Sequence, residues 1–165
     1  MRWTIVLSFI IVAVPALAAE APPPNCNGSE FKQLDFWVGE WNVKWDGGQG
    51  VNSITKTYDG CVVEERFDGT PSMHLKGHSI SIYFKAINQW RQNWVDNEGG
   101  YFDFIGGPQP NRTFIFSNLR ISENTPYARM VFENIKKDSL TWRWQKSADK
   151  GKTWADSWVI YYTRK

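Results

Sequence analysis

From Phe31 onward, apolar and polar positions alternate with a period of two in nearly every segment of the chain. An amphipathic helix would repeat its apolar positions every three or four residues, so this alternation predicts strands. It runs through FWVGEWNVKW (36–45), VNSITKTYD (51–59), CVVEERF (61–67), HSISIYFKA (78–86) and QWRQNWVD (89–96). It continues through GYFDFIG (100–106), RTFIFSNLR (112–120), YARMVFENI (127–135), SLTWRWQK (139–146) and TWADSWVIYYTR (153–164). Each segment is rich in β-branched and aromatic residues and is bounded by Gly, Pro, Asn or Asp clusters that stop a strand. Only SEFKQLDF (29–36) has room for a turn or two of helix, which would plug or flank one end of the fold.

Connections of two to six residues between about ten strands favour antiparallel neighbours in a meander. A meander must hide its two edge strands, and closing the sheet on itself does so completely. The expected fold is therefore all-β, an antiparallel up-and-down barrel of about ten strands, with a two-sheet sandwich as the alternative. A barrel of this strand number encloses more space than its side chains need to fill, enough to hold one small ligand.

The aromatic residues sharpen this picture. The chain carries 10 Trp, 10 Phe and 6 Tyr, and many of the tryptophans share strand faces. Trp37, Gly39, Trp41, Val43 and Trp45 fall on one face, and Trp90, Gln92, Trp94 and Asp96 on another. Trp142 and Trp144 share a third, and Trp154, Trp158, Ile160, Tyr162 and Arg164 a fourth. If these faces point inward, the interior is walled by indoles that either pack as core or line a cavity.

Residues 1–18 have the basic start, apolar run and Ala16-Leu17-Ala18 site of a secretory signal peptide. The apolar run of about 12 residues is shorter than the roughly 20 a membrane-spanning helix needs, which argues against an anchor and leaves no span in the mature chain. Residues 19–30 read as a Pro-rich leader, and 31–165 as a single β-barrel domain. A secreted or periplasmic location follows, and there Cys26 and Cys61 are expected to form a disulfide. The net charge of +2, with Lys and Arg dispersed, gives no basic stripe for a nucleic-acid partner.

Gly39-Glu40-Trp41 is similar to the G-x-W motif of lipocalins and their calycin relatives. That resemblance implies that Trp41 crosses the closed end of the barrel and that Arg164, on the last strand, stacks on it. Over nearly the whole mature chain, LDFWVGEWNV, DGCVVEERF, QWRQNWVD and TWRWQKSADKGKTW resemble an uncharacterised family of secreted bacterial proteins, a domain of unknown function. This resemblance implies a lipocalin-like barrel and supplies no activity.

Candidate chemistry is sparse. Ser147 to Trp154 matches the S-x-D-x-G-x-T-W turn of sialidase-type propellers, but one copy makes a hairpin turn and not a propeller. His74 and His78 lie about 13 Å apart along a strand, too far to share a metal ion, so no metal site or cofactor is expected. A haem held by one of them is the weaker alternative. Of the adjacent Glu64 and Glu65, one faces inward, where with Gln92, Asp96 or Arg143 it could bind a polar group or act as acid or base.

The expected function is binding of a small apolar or amphipathic molecule in a Trp-lined interior. The expected ligand-binding residues are Trp41, Glu65, Trp90, Gln92, Trp94, Trp142, Arg143 and Trp158. An enzyme on the same barrel, a lyase, isomerase or hydrolase using Glu65 or Asp96, is the alternative.

Overall fold

A computed structural model describes residues 26–119 and 122–165. The expected signal peptide and the first part of the leader lie outside the described residues. The strands are β1 Gly39–Trp45, β2 Gly48–Thr57, β3 Val62–Asp68, β4 Lys76–Phe84 and β5 Gln89–Asp96. They continue as β6 Tyr101–Pro108, β7 Phe114–Asn118, β8 Tyr127–Glu133, β9 Ser139–Ser147 and β10 Ala155–Arg164. Each pairs antiparallel with its sequence neighbour, and β1 pairs with β10 through Trp41 opposite Arg164, so the sheet closes into a barrel without an edge.

Alternation decides what fills this barrel. In β1, Trp41 and Val43 are buried while Glu40, Asn42 and Lys44 are exposed. The register sends every odd-numbered connection, starting with the β1–β2 hairpin, to one end. That end stays open, while residues 29–38 lie across the other. There Ser29–Lys32 form a single 3-10 turn, and Phe31, Leu34 and Trp37 are buried as a plug. The disulfide Cys26–Cys61, with Cα atoms 5.1 Å apart, fastens the leader to the turn before β3. Lys56 adds a second tie by donating to the Phe31 carbonyl at 3.0 Å and to the Asp35 carboxylate at 2.6 Å.

Trp41 and Arg164 complete the closed end. The guanidinium carbon sits 4.0 Å from the centre of the Trp41 ring. Arg164 also donates to the carbonyls of Val38 at 2.8 Å, Phe36 at 3.2 Å and Lys137 at 2.9 Å. Gly39 is required beside it. Its φ of 134° is open to glycine, and a Cβ there would overlap the guanidinium.

One face assignment is corrected. The parity of β10 puts Trp154 and Trp158 on the same side, but a β-bulge between Asp156 and Trp158 inserts an extra residue and reverses the parity. Trp154 therefore lies outside, with the Arg129 guanidinium 4.2 Å above its ring, while Trp158 points inward. The turn before it is the expected hairpin device. Asp149 accepts from the Thr153 hydroxyl at 2.6 Å, the Thr153 amide at 2.8 Å and the Ser147 hydroxyl at 2.8 Å, which hold its pKa down at about 2.

Candidate functional site

The open half of the barrel encloses a cavity of about 170 Å³. Its walls follow from the inward parity of six strands. β5 contributes Trp94, β9 contributes Trp142 and Trp144, and β10 contributes Trp158 after the bulge. The Trp142 and Trp144 rings stack at 6.4 Å and 7°, and Trp158 meets Trp142 edge-on at 5.7 Å. Phe67 lies edge-on to Trp158 at 5.9 Å, while Phe102 and Phe104 both meet Trp144 edge-on. Edge-to-face contacts of this kind fix ring orientation beyond what burial alone would do.

Gly77 on β4 makes room for this wall, because the Trp94 ring occupies the place of a Cβ there. Gly77→Ala is expected to push Trp94 into the cavity, cost roughly 1–2 kcal/mol as overpacking, and weaken ligand binding. Denaturant unfolding and a ligand titration of the variant check this, and unchanged binding would contradict it.

The polar groups sit at the two ends of the cavity. At the inner end, next to the Trp41 layer, Glu65 is buried with only 7 % of its surface exposed. Asn52 donates to its Oε1 at 2.7 Å, and the Ser79 hydroxyl donates to its Oε2 at 2.7 Å. The same Asn52 amide donates to the Tyr162 hydroxyl at 2.9 Å. Burial raises the Glu65 pKa from 4.5 to about 7, and the two donors only partly offset it. Burial also raises the pKa of Tyr162, with the charge of Glu65 adding to it.

At the mouth, Asp96 is occupied otherwise. It accepts from the Trp94 indole at 2.9 Å and from the amides of Glu98 at 3.0 Å and Gly100 at 2.7 Å, capping the β5–β6 turn. Partial burial works to raise its pKa, but these donors outweigh it and keep Asp96 below the ordinary range, hence charged at neutral pH.

The cavity thus brings together Glu65, Trp94, Asp96, Trp142 and Trp158 of the residues singled out in the sequence. Trp41 belongs to the closed end. Trp90 is buried nearer that end, donating to Gln33 at 2.9 Å, and Gln92 is buried against the Ser81 hydroxyl at 2.9 Å. Arg143 is a correction, because neighbours on a strand face opposite ways and Trp142 and Trp144 point inward. Arg143 is on the outer wall, bonded to Glu133 at 2.6 Å and to Asp156. His78 is also outside, 3.9 Å from Glu64, so it offers no imidazole to a haem in the cavity. Among the described residues, no cluster of His, Cys, Asp and Glu could hold a metal ion.

The sequence pattern singled out neither Phe67, Phe102 and Phe104 as lining residues nor Asn52 and Ser79 as partners of Glu65. The two-residue spacing of Phe67 from Glu65, and of Phe102 from Phe104, carried that signal. The partners of Glu65 depend on cross-strand register, which puts Ser79 opposite it and Asn52 one diagonal away. No protein-family model matches the chain, and no curated protein matches it.

Proposed function

We propose that this protein binds a small amphipathic molecule in the aromatic cavity of a lipocalin-like barrel, outside the cytoplasm. The observation that carries the reading is the cavity itself, about 170 Å³ with ring-lined walls and a carboxyl at its inner end. An apolar void of about 150 Å³ accepts a benzene-sized guest, so the ligand's buried portion has roughly one ring or its equivalent. A few convergent polar groups in an otherwise apolar pocket would fix its orientation. The Cys26–Cys61 disulfide supports an oxidising compartment, in line with a cleaved signal over residues 1–18.

Four indoles line the cavity, so occupancy is expected to alter tryptophan emission in a saturable way. Titration with phenols, indole, short-chain alcohols and small amines tests the reading, with Trp158→Ala as the control that reduces the response. A flat signal for every compound at millimolar concentration, with no heat of binding, would dispose of it.

The second reading, an enzyme using Glu65 as acid or base, draws on the pKa of about 7, which suits proton transfer near neutrality. Asp96 is committed to its turn, which leaves Glu65 as the group to carry the transfer. Chemical conversion of a bound compound by the native protein, abolished in Glu65→Gln, would select this reading.

A further inference from the structure

We propose that the molecule this cavity takes is an organic cation the size of a small quaternary ammonium ion, with the tryptophan faces around its charge and Glu65 as its counter-ion. The inference rests on the ligand-binding reading above and names the class of ligand. Three observations carry it.

The first is the sign of the lining. The ionisable groups among the described lining residues are Glu65, Asp96 and Tyr162, with no Lys, Arg or His. An anionic ligand such as a fatty acid would meet two carboxyl groups and no partner, which a desolvated charge does not tolerate. Lys76, at the rim, is tied to Asp68 at 2.8 Å and does not alter that balance.

The second is the walls. Trp142 and Trp144 stack nearly parallel, with Trp158 edge-on to Trp142 and Trp94 across from them beside Phe67. Tryptophan is the strongest aromatic partner for a cation, and cages of such rings recognise quaternary ammonium groups. The third is the inner end. Glu65 is held in place by Asn52 and Ser79, so its carboxylate is already oriented when a cation arrives. Asp96, charged at the mouth, adds attraction along the way in.

The interior groups facing Glu65 set the pH response. Besides Tyr162 on β10 and Asp96 on β5, β4 presents Ser79, Ser81 and Tyr83, and β2 presents Asn52 and Lys56. Lys56 is engaged with Asp35 and Phe31 at the closed end. Burial brings the pKa of Glu65 itself to about 7. A cation beside it favours the carboxylate, so below pH 7 binding releases one proton from Glu65 to the buffer.

The test uses choline and its uncharged isostere 3,3-dimethylbutan-1-ol, measured by calorimetry on the native protein. The two share shape and volume, and neither titrates over the range used. Choline is expected to bind about tenfold or more tighter at pH 8, a preference of the size that cation–π and ion-pair contacts provide. Its affinity is expected to fall as pH drops from about 8 to about 5.5, while that of the isostere stays level.

Glu65→Gln is expected to remove the pH dependence and most of the preference, while the native comparison stands whether or not that variant folds. Equal or tighter binding of the isostere overturns the cation inference and leaves the ligand-binding reading intact. A choline preference that does not change with pH overturns the role of Glu65. No binding by either compound or by the wider panel overturns both readings together.

Discussion

Glu65→Gln is expected to stabilise the barrel at pH 8 by about 3 kcal/mol and to change its stability little at pH 4.5, as read from urea unfolding at the two values. The sign follows from the raised pKa. The folded protein holds the Glu65 proton up to about pH 7, whereas the unfolded chain releases it near 4.5. Between those values the folded state binds more protons, so stability falls as pH rises. The contribution of Glu65 is fully present below about 4.5 and lost above about 7. Each pK unit is worth about 1.4 kcal/mol, which sets the size of the effect.

Glutamine keeps the shape and cannot ionise. Its amide nitrogen replaces only the oxygen facing Ser79, whose hydroxyl can rotate to accept, while its amide oxygen keeps the Asn52 donor. The acid side of the profile is separate, because Asp68 and Asp149, both held at about 2 by hydrogen bonds, titrate below this window in either protein. An equal stability difference at both pH values, or a loss at pH 8, would refute the assignment. A group that lowers stability at neutral pH and is nevertheless buried at the end of a cavity fits a binding role better than a structural one.

Much of this architecture was legible in the residue pattern, for a simple reason. A strand in a closed barrel has one wet face and one dry face, so each of the ten announces itself by alternation. The stacking of Arg164 on Trp41 was expected only from the similarity of Gly39-Glu40-Trp41 to the lipocalin motif, since pattern alone does not pair two residues so far apart in the chain. Parity failed where a strand is irregular. Nothing in TWADSWVIYYTR marks Ser157 as the extra residue of a bulge, so Trp154 was placed inside with Trp158. Parity was also ambiguous where both neighbours were acidic, as at Glu64 and Glu65. The side chains across from them resolve it, with Ser79 of β4 donating to Glu65 inside and Thr57 of β2 donating to Glu64 outside. Such cross-strand partners depend on register, which pattern alone does not determine.

A second large effect lies at the closed end. Trp41→Ala is expected to cost about 3–5 kcal/mol, the range for truncating a buried tryptophan. The ring has no exposed surface, meets Tyr162 edge-on at 5.8 Å, and donates its indole N–H to the Trp37 carbonyl at 2.7 Å. Arg164→Leu is expected to cost about 2 kcal/mol by leaving three carbonyls of the plug and of the β8–β9 turn without their donor.

The two losses are expected not to add. With Trp41 gone, the guanidinium stands over a void and its alignment on Phe36 and Val38 loosens, so part of its contribution has already vanished. Urea unfolding of the single and double variants should give a coupling of about 1 kcal/mol, of the size expected for cation–π stacking at a part-buried site. Additivity within about 0.4 kcal/mol would mean that Arg164 holds the plug only through its hydrogen bonds, and that the ring beneath it contributes by packing alone.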